Sequence, residues 1–366
     1  MKHITSCPGV LPAQGLSSSS SSSSLSRKGA ARPDRLYNTG LMASLLIAVA
    51  CFPSAMSAQV GYSATATVVY VAANGSNDLL STSGAPGGWT NSTPVTGQQS
   101  PLAPSLTRFG ESFVLAYVAD NGSGDLLVTF SNDTVTWSKS VRVTGQTSAL
   151  APAITVFKNK LVIAYVANNG SGDLLVTTST NGTTWSKSTP VTGQTSGHAP
   201  ALAVFGDELV LAYVANNGSH DLLVTTSTDG VNWSTSAPVT GQTTALAPAL
   251  TVYGKYLVIA YVANNGSDDL LVTFSTNGVT WSKSAPVTGQ TSSVTPALAV
   301  MPNPIDSPTP FTTFNLILVY VANNGSNDLL VTTSVNGVNW TPSTQITGQS
   351  SRVAPAIRIS ESYNPD

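Results

Sequence analysis

Four short apolar runs, each closed by a turn signal, follow one another through most of the chain, and the set of four returns about every 48 residues. Residues 199–246 show the unit cleanly. The runs are ALAVF (201–205), LVLAYVA (209–215), DLLVTTS (221–227) and VNWSTSAPV (231–239), separated by Gly206-Asp207, Asn217-Gly218 and Asp229-Gly230. Asn-Gly and Asp-Gly between β-rich runs predict tight hairpins, because these residues tolerate positive φ. The second run is apolar on both faces: Leu209, Leu211 and Tyr213 alternate with Val210, Ala212 and Val214. Such a strand must be covered on both sides of its sheet. The fourth run is more polar. Lys follows Trp by two places in three copies (Lys139, Lys187, Lys283), and proline recurs (Pro190, Pro238, Pro286). Lys and Pro discourage pairing with another chain, so this run is expected at the outer rim, with the short Ala-rich first run at the axis.

The period is strict. Tyr70, Tyr117, Tyr165, Tyr213, Tyr261 and Tyr320 are spaced by 47, 48, 48, 48 and 59 residues, and Trp89, Trp137, Trp185, Trp233, Trp281 and Trp340, all the tryptophans of the chain, by 48, 48, 48, 48 and 59. Four strands per unit at this period predict an all-β, six-bladed β-propeller of four-stranded antiparallel blades. The ends supply one broken copy. The first three-strand set, with Tyr70, has no inner strand before it, and the last inner-strand sequence, APAIRIS at 354–360, has no blade after it. The C-terminal strand is therefore expected to complete the first blade, removing the edges that an open array would leave.

The turn between the third and fourth runs reads STNGTTW (179–185), STDGVNW (227–233), STNGVTW (275–281) and SVNGVNW (334–340). It resembles the Asp-box of sialidase-like propellers, S-x-D-x-G-x-T-W, one residue shorter here. Asn181, Asn277 and Asn336 replace the Asp. The second copy, SNDTVTW (131–137), has Thr134 for Gly, and the first, STSGAPGGW (81–89), has lost the box. The resemblance covers the repeats as a plan and implies a folding element whose polar side chain closes the turn while Trp packs between blades. Sialidase chemistry, as the family is understood, needs an arginine triad, a Tyr–Glu nucleophile pair and an Asp acid/base. The repeats contain Arg108, Arg142, Arg352 and Arg358, with Glu111, Glu208 and Glu361, and offer no matching constellation. Glycoside hydrolysis wants two carboxylates facing one bond, which near-identical blades do not single out. His198 and His220 fall in separate loops. The chain is accordingly read as not an enzyme, with no catalytic residue, metal or cofactor. An exo-sialidase-like hydrolase is the alternative, and a structural or protein-interaction propeller at the cell surface a third reading.

Residues 1–58 stand outside the repeats. Eight serines (Ser17 to Ser24), a basic stretch (Arg27, Lys28, Arg32, Arg35), the apolar run LMASLLIAVACF (41–52) and small residues at 54–58 follow in order. That order predicts a secretory signal behind a long leader, with a secreted, cell-surface or periplasmic product and residues 59–366 as one propeller domain. The apolar run is too short to span a bilayer comfortably. Both cysteines, Cys7 and Cys51, lie in the leader, so the repeats hold no disulfide; Cys51 is a conceivable lipidation site. The leader takes five of the 15 Lys and Arg and one of the 17 Asp and Glu, leaving 10 against 16 in residues 59–366, a formal charge of −6. Without a basic stripe, nucleic acid is not an expected partner, nor is membrane insertion of the mature chain.

One face repeats more closely than packing alone requires. The second-to-third turn reads ANGSND, DNGSGD, NNGSGD, NNGSHD, NNGSDD and NNGSND, and TGQ returns in all six units. Loops ordinarily drift, so tight repetition there points to a role. The candidate ligand-binding residues, taken blade by blade, are Asn74, Asp78 and Gln98; Asn121, Asp125 and Gln146; Asn169, Asp173 and Gln194; Asn217, Asp221 and Gln242; Asn265, Asp269 and Gln290; and Asn324, Asp328 and Gln349. Amides and a carboxylate suit sugar hydroxyls, and six weak sites suit multivalent glycans or glycoconjugates, the partner class expected. The competing account is structural: Asn-Gly makes the turn, Asp caps amides, and Gln bonds backbone between blades. The same turn faintly resembles the calcium loops of integrin-type repeats, but one carboxylate per copy is poor provision for calcium. Each of the six Asn also begins an N-G-S glycosylation sequon.

Overall fold

The computed structural model describes residues 61–302 and 314–364. The leader (1–58) and most of the insert at 302–315 lie outside the described residues. Among the described residues every regular element is a strand, and the strands form six antiparallel sheets. The blade containing Tyr213 is typical: Ala201–Phe205 (inner), Glu208–Val214 (second), Asp221–Ser227 (third) and Ala237–Thr243 (outer) pair in that order. The inner strands Ser105–Phe109, Ala153–Phe157, Ala201–Phe205, Ala249–Tyr253, Ala297–Pro302 and Ala356–Asn364 touch one another in cyclic order and return to the start.

The ring closes as the broken repeat predicts. Ala356–Asn364 pairs with Gly61–Val71, from Asn364 opposite Gly61 to Ala356 opposite Val69, and Gly61–Val71 continues into Asp78–Ala85. This is the longest pairing among the described residues, and it closes the inner edge of the first blade. In this first blade, where the box is lost, Gly88–Trp89 folds back on Gly84–Ala85 before Thr93–Gln99 takes the outer place.

The core lies between blades. Val210, Ala212, Leu222 and Val224 of one blade pack on Leu257, Ile259 and Tyr261 of the next, and five equivalent clusters complete the circle. This explains second strands apolar on both faces: each face is buried by a different neighbour. Fully burying a side chain of this size stabilises by about 1.5–3 kcal/mol.

The outer strand departs from expectation. It runs Ala237–Thr243 rather than 231–239, so Lys139, Lys187 and Lys283 precede it, and Gln242 lies within it rather than in a link. The box turn consumes the earlier residues. Asp229 Oδ1 accepts the amides of Val231 and Asn232, both at 2.8 Å, and Thr225 Oγ1 donates to the Ser234 carbonyl at 2.7 Å. Pairing then passes from Leu223 opposite Pro238 to Asp221 opposite Thr243, so extra residues bulge from the outer strand. Gly241 sits in that bulge at φ +72°, a conformation that asks for glycine and accounts for the G of TGQ.

Candidate functional site

Inner strands run from one face of the ring to the other, so the second-to-third turns gather beside the starts of the inner strands. In each turn the Asn side chain is folded back on the chain. Asn74, Asn121, Asn169, Asn217, Asn265 and Asn324 each accept, through Oδ1, the amide of the serine two residues on, at 2.9–3.0 Å. That serine's Oγ accepts the amide of Asp78, Asp125, Asp173, Asp221, Asp269 or Asp328 at 3.1–3.2 Å. The residue before each Asp has positive φ, hence Asn77, Gly124, Gly172, His220, Asp268 and Asn327. The turn therefore joins the predicted Asn and Asp into one backbone-bonded corner.

The glutamines point elsewhere. Gln194 Oε1 accepts the phenol of Tyr213 in the following blade, whose oxygen lies 2.7 Å from Ser236 Oγ. The arrangement holds at every blade junction: Gln98 with Tyr117 and Ser140, Gln146 with Tyr165 and Ser188, Gln242 with Tyr261 and Ser284, Gln290 with Tyr320 and Ser343. Gln349 completes it across the closure, accepting Tyr70 and, at 2.6 Å, Ser92. The amide nitrogens donate to the carbonyl two residues back, as Gln194 Nε2 does to Thr192. All six tyrosines are 1% exposed. Burial pushes their phenols up from the ordinary value, and the serine hydroxyls partly offset this. The sequence reading did not find this triad. Its signal was present: Trp-x-x-Ser recurs in all six blades, in step with the tyrosines.

The six carboxylates divide by surroundings. Asp78 accepts Gln99 Nε2 at 2.9 Å, Asp125 pairs with Arg142, and Asp269 accepts Ser267 Oγ at 2.7 Å. Those of Asp173, Asp221 and Asp328 accept no hydrogen bond among the described residues, and Asp173 and Asp221 are exposed. The calcium comparison meets turns whose Asn oxygens already hold backbone amides. Among the described residues no three His, Cys, Asp or Glu side chains cluster as a metal site.

On the opposite face the box turns do the work that the resemblance implies. Asn181 Oδ1 accepts the amides of Thr183 and Thr184 at 2.9 Å, while Trp185 packs among Val114, Leu126 and Tyr165 of two adjacent blades. Where the acid is Asp, the same amides hold it in its charged form: Asp133 is lowered to about 2, first by the Thr136 amide and then by Val135, and Asp229 is lowered by Asn232 and Val231. Thr134 carries a side chain where two other boxes have no room for one. A Cβ at Gly182 would lie 2.3 Å from Phe130 of the preceding blade, and one at Gly337 2.0 Å from Phe274. Thr134 faces Ser83 instead, and their hydroxyls meet at 3.2 Å.

Two cavities lie on the axis. One, of about 380 Å³ at the starts of the inner strands, is lined by Leu102, Leu150, Leu246 and a ring of prolines, with His198 where other blades have Leu or Val. The two histidines that looked unrelated in sequence meet here, with rings 6.5 Å apart. Enclosure, and then His220, lower the His198 pKa. The second, of about 420 Å³ at the other end, is lined by Thr107, Thr155 and Thr251 together with Arg108, Arg358 and Glu361.

The model of the BNR repeat-like domain matches residues 119–363. No curated protein sequence matches the chain. Among solved structures, the BP39L lectin of Burkholderia pseudomallei is 18% identical, with 81% of this chain and 88% of that one covered at a TM-score of 0.57. A triple-arginine mutant of AofleA from Arthrobotrys oligospora is 13% identical, with 82% and 92% covered at 0.57. The α-L-arabinofuranosidase Arb93A of Fusarium graminearum is 14% identical, with 68% and 82% covered at 0.50. At these identities the likeness is one of fold.

Proposed function

The chain belongs to the BNR repeat-like family, and on that footing we propose that it is an exported, non-catalytic propeller that binds carbohydrate through the turns holding Asn169 and Asp173 and their counterparts. The observation that carries this reading is what the fold leaves over. Tyrosine, joined by serine at four junctions, occupies the repeated Gln oxygen, and the turn amide occupies the Asn oxygen. The Asp carboxylate is repeated six times and, at Asp173, Asp221 and Asp328, spared from the fold's hydrogen bonds. In the same turn the Asn Nδ2 donates to no described residue. A free carboxylate acceptor and a free amide donor in one turn are groups that sugar hydroxyls complement. Six copies on one face give avidity to weak single sites. A lectin among the solved structures of this fold supports the class without naming a sugar.

A glycan array of the purified protein tests the reading. Binding to multivalent glycans, lost when all six Asp become Ala with the melting temperature retained, is expected. No glycan bound, or binding indifferent to the Asp changes, refutes it and favours a protein-interaction ring. Turnover of a fluorogenic sialoside would refute the non-catalytic part. N-terminal sequencing of the mature protein near residue 58 tests export.

A further inference from the structure

The axial cavity of about 420 Å³ breaks the repetition of the ring at one position. The third residue of each inner strand faces it: Thr107, Thr155, Ala203, Thr251, Ala299 and, on the closing strand, Arg358. Five small side chains thus surround one guanidinium, fixed by its backbone opposite Thr67. Among the described residues Arg358 makes no hydrogen bond and no ion pair, although a guanidinium carries five donors. The charged groups around it do not neutralise it. Arg108, on the neighbouring inner strand, lines the same cavity and is paired outward with Glu111 at 2.7 Å. Glu361 stands at the rim, exposed. Arg358 is open to solvent through the cavity, while the strands around it, and next the repulsion of Arg108, lower its pKa more than Glu361 raises it. An unpaired guanidinium open to the cavity keeps its donors free for an anion that enters.

We infer that this cavity is a single oxyanion site, in which Arg358, assisted by Arg108 and the hydroxyls of Thr107, Thr155 and Thr251, binds one sulfate- or phosphate-like group and thereby secures the closing strand. Guanidinium forks match the planar O–X–O edge of such anions, and threonine hydroxyls donate to the remaining oxygens. The group is a free inorganic anion or the acid group of a sugar; both present the same oxygens. The site lies at the opposite end of the inner strands from the turns assigned to neutral glycan contact, so either can fail alone.

The experiment compares the full chain with Arg358→Thr, which installs the residue of three sister blades. Melting temperature is followed as chloride is replaced by sulfate at constant ionic strength, then repeated with an acidic monosaccharide. Ligand that binds only the folded state raises the melting temperature saturably. Wild type is expected to show this, with affinity falling about tenfold or more in Arg358→Thr. General salting-out acts on both proteins equally and cancels. An effect of sulfate identifies a free anion, and one confined to the acidic sugar identifies a glycan source; either upholds the site. Equal shifts in both proteins, or none, overturn it. Should the variant not fold, wild-type crystals soaked in selenate decide: an anomalous peak beside Arg358 upholds the site, and its absence at saturation overturns it.

Discussion

Changing Tyr213 to Phe and Gln194 to Ala, singly and together, asks whether the repeated glutamine holds the ring or waits for a ligand. In Tyr213→Phe the Gln194 oxygen loses its phenol donor, but the Ser236 hydroxyl, 2.7 Å from the lost oxygen, can turn towards it, as Ser188 donates to Gln146 at 2.6 Å. One hydrogen bond is lost without an orphaned acceptor, a cost of about 1 kcal/mol. In Gln194→Ala a phenol only 1% exposed keeps Ser236 as its single partner, and the amide's bond to Thr192 disappears as well, a cost of about 1–3 kcal/mol. The two residues share one interaction, so the double variant should cost less than the sum by about 1 kcal/mol. Urea unfolding of the three variants and wild type measures that coupling, and melting temperatures should move by roughly 2 °C per kcal/mol for a domain of this size. Six such junctions sum to about 6 kcal/mol, a large part of the roughly 5–15 kcal/mol by which folded proteins are stable. Strict additivity, or a Gln194→Ala protein that melts as wild type without ligand, would refute the structural assignment.

Two further outcomes follow from the packing. Ala in place of Gly182 or Gly337 meets Phe130 or Phe274 besides sitting at positive φ, and should cost about 2–4 kcal/mol in thermal unfolding; Gly230→Ala, with open space before it, should cost only the roughly 1–2 kcal/mol of the backbone. Equal losses at Gly182 and Gly230 would remove the phenylalanine from the explanation. His198 has a folded-state pKa below its ordinary value, so the unfolded chain takes the proton first as pH falls. Its neutral state adds no penalty above about pH 6.5, and stability is lost from there down to the depressed folded value. Leu in its place, as in three other blades, should flatten that part of the stability–pH curve, and an unchanged slope between wild type and His198→Leu would place the titration elsewhere.

Periodicity carried the fold well because each of its signals is local. Asn217-Gly218 and Asp229-Gly230 mark turns by their own φ preferences, and the alternation in 209–214 reports burial on two faces without naming the neighbour. Complementary end fragments were enough to anticipate that the C-terminal strand completes the first blade, and the structure supplies the register, with Ile357 opposite Val68. The outer strand was misplaced because its boundary depends on a competition invisible to alternation. The Asp229 oxygen and Thr225 hydroxyl capture the residues around Trp233 before a ladder can form, and a bulge then draws Gly241 and Gln242 into the strand. Side-chain partners across blades were hidden for a related reason. Tyr213 and Gln194 are 19 residues apart in sequence and belong to different sheets, and no spacing rule for a single strand joins them.

Sameness among repeats is therefore several signals superposed, and the structure separates them by what each atom already holds. Gly241 answers to φ, Gln242 to the phenol of the next blade, and Asn217 to a serine amide. Change at any of these should reach binding only through stability. Asp221 sits at the start of the third strand, where its amide takes part in the turn but its carboxylate takes part in nothing, and any residue with an amide would serve the turn. Thr134 occupies the box position at positive φ opposite Ser83, while Gly230 stays glycine with open space before it, so backbone conformation as well as the neighbour bears on that glycine. The carboxylates of Asp78, Asp125 and Asp269 serve a glutamine, an arginine and a serine, whereas those of Asp173, Asp221 and Asp328 serve nothing among the described residues. Asp173, Asp221 and Asp328 are therefore the positions at which the proposed ligand contact can be probed with least disturbance of the fold.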